Sequence, residues 1–181
     1  IVNLIPGNSA IFFPSYDLLN KVHQYFFDLC EKTTFKERGD MLKKERADML
    51  DRFKGYKNSG AVLLACISGS FGEGIDLPGD LLKGVIVVGL PLRRPDLETK
   101  ELITYYDKMF NKGWDYGYVI PAFSKTLQSA GRCIRSETDR GIIVFLDERY
   151  TWPNYFKNFP PDLQLKISLD YEQKIKRFFS H

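Results

Sequence analysis

An α/β fold, with a mostly parallel central sheet covered by helices on both faces, follows from three observations. Ser9–Phe13, Ala61–Ile67, Val85–Leu90 and Ile142–Leu146 are short, rich in β-branched or aromatic residues, and apolar at successive positions. Strands buried on both faces read this way, whereas a half-exposed strand alternates. Helical patterns separate these runs, and alternating strand and helix implies parallel strands joined by crossovers. The 181 residues are 44% hydrophobic, enough for one sizeable core.

Taken in order, Ser9–Phe13 leads into a helix over Tyr16–Cys30, with Leu18, Leu19, Val22, Tyr25, Phe26 and Leu29 at helical spacing. Ser15 is the natural N-cap of that helix. Thr33–Phe35 reads as a fifth, weaker strand. Asp40–Phe53 places Leu42, Met49, Leu50 and Phe53 on one helical face, and Lys43, Lys44 and Arg46 on a solvated one. Asn58–Gly60 turns the chain into Ala61–Ile67, and Arg93–Leu97 turns it from Val85–Leu90 into a helix over Glu98–Phe110. That helix aligns Leu102, Tyr106, Met109 and Phe110, of which Tyr106 and Phe110 read as core. Lys112-Gly113-Trp114 reads as its stop, with Gly113 in the left-handed cap and Trp114 packing back. Helices over Pro121–Ser136 and Leu163–Phe179 complete the chain. The absence of repeats, low-complexity stretches and linkers makes 1–181 a single domain, with 151–181 as a C-terminal helical extension.

Bulk chemistry narrows the function classes. Charged residues make up 27%, the net charge is +3, and the pI is near 8.7. This mild basicity permits nucleic-acid contact without demanding it. Cys30, Cys66 and Cys133 are odd in number and far apart, which suits a reducing interior and forms no metal-ligand cluster. No apolar run approaches the ~20 residues of a membrane span, and no signal peptide opens the sequence. A first residue of Ile1 reads as an excised domain or a proteolytic piece.

Gln128-Ser129-Ala130-Gly131-Arg132-Cys133-Ile134-Arg135 has the most informative spacing. On a helix, Gln128, Arg132 and Arg135 fall at i, i+4 and i+7 and form one stripe, with Phe123, Leu127, Ala130 and Ile134 opposite. Paired guanidiniums suit phosphate because the planar fork donates two parallel hydrogen bonds and keeps its charge. Gly131 in mid-helix costs roughly 1 kcal/mol against alanine, which a closely passing backbone or ligand would explain. A plain solvated face remains the competing reading of the stripe.

Open parallel sheets bind ligands beyond the carboxyl ends of their strands. Phe13-Pro14-Ser15-Tyr16 emerges there, and the free amides of a helix start can hold phosphate, although capping alone also accounts for Ser15. Ser68-Gly69-Ser70-Phe71-Gly72-Glu73-Gly74-Ile75-Asp76-Leu77-Pro78-Gly79 emerges there too, with glycines that permit close backbone approach. It is not a P-loop, since no Gly-Lys-Ser/Thr follows, and a simple glycine-rich connection is the alternative. Glu73 and Asp76 could pair with an arginine, accept from a ribose hydroxyl or orient a water. Arg93 and Arg94 line the same edge after Val85–Leu90. Tyr105, Trp114, Tyr116 and Tyr118, interleaved with Lys100, Lys108 and Lys112, offer either a base-stacking surface or core. His23 and His181 have no partners at catalytic spacing.

These segments, in this order, resemble motifs IV, V and VI of superfamily 2 helicases, in particular the XPD/DinG group of iron–sulfur DNA helicases and, within it, archaeal XPD. Phe12-Phe13-Pro14-Ser15-Tyr16 resembles motif IV. Gly72-Glu73-Gly74-Ile75-Asp76, with the strand Val85–Pro91, resembles motif V. Gln128 to Arg135, then Asp139-Arg140-Gly141 and Asp147-Glu148-Arg149-Tyr150, resembles motif VI and its following strand. Motifs IV to VI thus occupy about residues 9–150.

The resemblance implies a RecA-like three-layer domain, the second motor domain of an ATP-dependent DNA helicase moving 5′ to 3′, in nucleotide excision repair or related processing. Arg135 would be the arginine finger, Arg132 a second γ-phosphate contact and Gln128 a sensor of the phosphate or attacking water. Glu73, Gly74 and Asp76 would couple nucleotide to DNA. Ser15, Tyr16, Ser68, Gly69, Ser70 and Arg93 would lie along single-stranded DNA. ATP and Mg2+ would be shared with a first RecA-like domain of the same protein, absent from this chain, as would be the iron–sulfur cluster. Alone, the domain is then expected to be inactive as an ATPase. Repair-complex proteins are further expected partners, a membrane is not, and the location would be cytoplasmic in an archaeon or bacterium, nuclear in a eukaryote. The alternative is a non-catalytic docking module for protein partners or DNA. Arg149 could touch DNA, but pairing with Asp147 is the simpler role.

Overall fold

The computed structural model describes residues 1–72, 81–134 and 139–180. Five described strands form one all-parallel sheet: β1 (Ser9–Phe13), β2 (Thr33–Lys36), β3 (Ala61–Cys66), β4 (Gly84–Val88) and β5 (Ile142–Leu146), in spatial order β2-β3-β1-β4-β5. The helices are α1 (Tyr16–Leu29), α2 (Lys43–Gly55), α3 (Leu97–Phe110), α4 (Ile120–Ala130), the one-turn α5 (Pro153–Phe156) and α6 (Tyr171–Phe179). Central β1 sets Ser9 opposite both Val62 of β3 and Gly84 of β4.

Side chains of β1 alternate between two apolar layers, as a strand's period of two requires. Ile11 and Phe13 pack with Leu19 of α1, Ile175 of α6, Val62, Leu64 and Ile86. Ala10 and Phe12 pack with Phe53 of α2, Ala130 at the end of α4, Leu63, Val85 and Val87. Every residue of β1 and β3 is buried, which explains their unbroken apolar runs. A third cluster of Leu90, Val119, Phe123, Tyr150 and Phe159 lies beyond β4 and joins α4 to the segment after β5. Asn8, 1% exposed, fixes the start of β1. Its amide donates to the Phe53 carbonyl, and its Oδ1 accepts from the Ala61 amide, both at 2.9 Å.

Four sequence expectations need correction. The helix expected over Pro121–Ser136 ends at Ala130. Its last turn tightens, with Arg132 and Cys133 amides donating to Ser129 and Ala130 carbonyls. Burial of Cys133, with its thiol 3.5 Å from the Ile142 carbonyl, draws the chain out of the helix. Arg132 therefore lies beyond α4, Gln128 and Arg132 form no helical stripe, and Ile134 is 44% exposed rather than buried. Among the described residues, a Cβ on Gly131 would meet the Leu127 carbonyl at 3.3 Å and the Gln128 carbonyl at 3.9 Å, both of its own helix.

The closing helix starts at Tyr171, not Leu163, and leaves Ile167 and Leu169 exposed. The left-handed cap of α3 is Asn111 (φ 53°), not Gly113. Gly113 instead permits close packing, since a Cβ there would sit 2.2 Å from the Ile103 carbonyl. The π-helical turn Asp115–Val119 then runs directly into α4. Finally, α3 buries none of its residues: Phe110 is 54% exposed and Met109 58%, so Phe110 is not the core residue expected.

Candidate functional site

A parallel sheet opens all its carboxyl ends on one edge. There β1 delivers Ser15 and Tyr16, β2 Glu37, β3 Ser68–Gly72, β4 Arg93 and β5 Asp147 with Arg149. Ser15 caps α1, its hydroxyl accepting from the Leu18 amide at 3.2 Å. Capping and phosphate binding are compatible, because one hydroxyl satisfies only one of the free amides at a helix start.

The loop after β3 turns back on itself through Gly69 N–H to Cys66 carbonyl (2.9 Å) and Gly72 N–H to Gly69 carbonyl (3.0 Å). Ser68 and Ser70 face outward, while Gly69, Phe71 and Gly72 are buried. Beneath it lies Glu37, 1% exposed. Its carboxylate accepts from the Cys66 amide at 2.8 Å and the Phe71 amide at 3.3 Å. Tyr16 hydrogen-bonds the same carboxylate, and burial together with the negative charge of Glu37 pushes the tyrosine up to about 12. Arg46, expected to be solvated, instead donates to the Ser70 hydroxyl at 2.8 Å.

Arg132 reaches the other end of the loop, although Cys133 beside it packs near the start of β5. The Arg132 Nη2 donates to the Gly72 carbonyl at 2.6 Å. The structure thus brings together Tyr16, the Ser68–Gly72 loop and Arg132, three segments far apart in sequence. Gln128 stands exposed on α4. Arg93 is exposed on the β4 side, and its carbonyl accepts the Tyr118 hydroxyl. Glu73, Gly74, Asp76 and Arg135 lie outside the described residues.

Arg149 grips Asp147 at 2.9 and 2.6 Å, the structural role expected for it. That bond holds the Asp147 carboxyl below its ordinary range. The buried Tyr150 hydroxyl donates to the Gly89 carbonyl at 2.8 Å, bracing the turn after β4. Burial pushes the Cys133 thiol up to about 11, so it stays protonated and unsuited to ligation. Cys30, Cys66 and Cys133 sit on separate elements, and no three metal-binding side chains cluster among the described residues. These cysteines do not fit an iron–sulfur cluster. Among the described residues, no helix is long and apolar enough to cross a membrane.

Sequence reasoning missed Glu37 and misjudged Arg46. No local signal marks Glu37, since Lys36 to Asp40 reads as an ordinary charged turn.

A family profile described as the helicase C-terminal domain matches residues 1–165. ATP-dependent DNA helicase DinG of Photobacterium profundum is 34% identical over 152 residues, covering 82% of this chain and 22% of that protein. ATP-dependent DNA helicase CHL1 of Candida albicans is 30% identical over 191 residues, covering 93% of this chain and 22% of that protein. A solved apo structure of XPD superposes with a TM-score of 0.67 at 25% identity, over 87% of this chain and 32% of that one. The C-terminal domain of the DEAD-box protein Dbp5 shares the fold at a TM-score of 0.56 and 17% identity, over 97% of this chain and 83% of that one. The chain spans about a fifth of the length of these two curated relatives.

Proposed function

This chain belongs to the helicase C-terminal domain family, of the DinG, CHL1 and XPD type, with a RecA-like fold, and we propose that it is the second motor domain of an ATP-dependent 5′-to-3′ DNA helicase acting in repair. The observation that carries this reading is the Arg132–Gly72 hydrogen bond. It joins the arginine-bearing turn after α4, on the nucleotide side of the proposal, to the loop proposed to lie on DNA. A change at one is mechanically felt at the other.

In this reading Arg135 stabilises charge on the transferring phosphoryl group, Arg132 contacts the γ-phosphate, and Gln128 senses the phosphate or the attacking water. Glu73, Gly74 and Asp76 couple the nucleotide state to DNA. The hydroxyls of Ser15, Ser68 and Ser70, with Tyr16, Gly69 and Arg93, hold the single-stranded backbone. The bound nucleotide favours a closed arrangement with the first motor domain, and hydrolysis removes that preference. The iron–sulfur cluster and the magnesium site belong to that other portion of the protein.

In the full-length protein, Arg135→Ala should cut DNA-stimulated ATP turnover by about 10³-fold or more, with affinity for single-stranded DNA changed less than about threefold. Turnover near that of the unaltered protein would reject the finger. Unwinding of duplexes bearing a 5′ rather than a 3′ tail checks polarity. A docking role is the second reading, favoured by the exposed apolar face of α3 formed by Leu102, Tyr105 and Met109. DNA-independent behaviour of the full-length enzyme, with loss of a partner on Met109→Glu, would favour it.

A further inference from the structure

Glu37 is the buried carboxylate at the heart of the edge, and the roles assigned above leave it unused. It accepts from two backbone amides of the β3 end and its loop, Cys66 N–H and Phe71 N–H, and from the Tyr16 hydroxyl. Gly69 passes so close that a Cβ would stand 2.6 Å from both carboxylate oxygens and from the tyrosine oxygen. Three consecutive strand ends, those of β1, β2 and β3, therefore meet on one side chain.

We propose that Glu37 is a positioning residue for DNA: its carboxylate, itself held by the Tyr16 hydroxyl, sets the backbone of Ser68–Gly72 into a single phosphate-facing surface. The inference rests on the function proposed above and deepens it.

The argument is one of direction. Glu37 spends its acceptors inward, on amides and a phenol, so it presents no anionic oxygen to an approaching phosphodiester. The exposed residues of the loop are Ser68 and Ser70, with the Ser68 hydroxyl 3.5 Å from the Cys66 thiol and the Arg46 guanidinium 2.8 Å from Ser70 Oγ. Hydroxyls beside a guanidinium suit a phosphate backbone without base preference. A loop that is already shaped loses little freedom when the strand arrives. A glutamine at position 37 keeps the size but turns one acceptor into a donor, which faces either Cys66 N–H or Phe71 N–H and pushes the loop away.

The test uses the full-length helicase, with ATP turnover followed against the concentration of oligothymidylate. Glu37→Gln should raise the half-saturating DNA concentration roughly tenfold, while turnover at saturating DNA stays within about twofold. The salt slope of DNA binding should fall by about one phosphate contact. Tyr16→Phe removes the phenol donor and should shift half-saturation the same way by about threefold. The double variant should match Glu37→Gln alone, because both changes act on one node. An unchanged half-saturation, additive effects, or lost saturating turnover at unchanged DNA affinity would overturn the proposal. Should Glu37→Gln fail to fold, Glu37→Asp, which keeps the charge but withdraws the carboxylate from the loop, decides by the same half-saturation criterion. Absence of any DNA dependence in the unaltered enzyme would instead sink the motor reading, and this inference with it.

Discussion

Replacing Gly69 by alanine loads the tightest contact of the edge. The new methyl carbon would lie 2.6 Å from both Glu37 oxygens and the Tyr16 oxygen, against the 3.4 Å where ordinary contact begins. The carboxylate cannot swing aside freely, because it holds the Cys66 and Phe71 amides. Moving it sacrifices hydrogen bonds to a charged acceptor at about 1.5–3 kcal/mol each. Moving the loop instead costs about 1–3 kcal/mol of overpacking strain. Stiffening the unfolded chain returns about 0.4–1 kcal/mol. A net loss of about 2 kcal/mol follows from these opposing contributions. Urea unfolding of residues 1–181, followed by circular dichroism, should show the midpoint fall by about 1 M at unchanged slope. Gly55→Ala is the matched control: it is helical, exposed, and has nothing within 4 Å of the added carbon. It should gain about 0.5 kcal/mol from helix propensity. A Gly69→Ala midpoint equal to the unaltered protein's, with the Gly55 control behaving as stated, would refute the packing of this loop on Glu37.

Further outcomes follow from buried groups elsewhere. Asn8→Ala orphans the buried Ala61 amide and takes from the Phe53 carbonyl one of its two donors, the Tyr56 amide remaining, and should cost about 1–3 kcal/mol in urea unfolding. A loss under about 0.5 kcal/mol would contradict that bridging role. Asp147→Asn should cost about 1 kcal/mol at neutral pH by weakening the Arg149 pair. The Asp147 carboxyl is held below its ordinary 3.8 in the folded state. Its stabilisation is therefore complete above that value and lost as pH falls through the lowered one. Stability curves of the two proteins should converge in that acid window, and a constant gap down to the lowest pH would reject the linkage. Native labelling with a maleimide at pH 8, read by mass, should modify half-exposed Cys30 and spare buried Cys66 and Cys133, the latter with its thiol pushed up to about 11. Rapid labelling of Cys133 would show that its packing beside Ile142 is wrong.

The strands were legible because parallel strands covered on both faces leave nothing but apolar residues in a row, as in Ala61–Cys66. Helix starts were legible where a capping side chain announces them, as Ser15 does for α1. The end of α4 was not, because burial of Cys133 against β5 outweighs the helical spacing of the arginines. The face of α3 shows a second limit: periodicity reveals that Leu102 and Met109 share a side, not whether anything covers it. Of the candidate site, Ser15, Tyr16 and Ser68–Ser70 were located from their position after strands. Glu37 escaped because its partners, Cys66 and Phe71, lie in a distant part of the chain, and a buried acid is recognisable only through them.

β1 occupies the middle of the sheet, yet both its neighbours come later in the chain. As the polypeptide leaves the ribosome, Ser9–Phe13 emerges before its sheet partners and must wait for Val62 and then Gly84 before either side of it is satisfied. Such non-local pairing makes acquisition of the native state slow. Until β4 arrives, an adhesive Ala10-Ile11-Phe12-Phe13 ribbon stays available to the wrong neighbours. Yield during synthesis should therefore depend more on temperature and chaperone supply than the finished domain's resistance to denaturant would suggest.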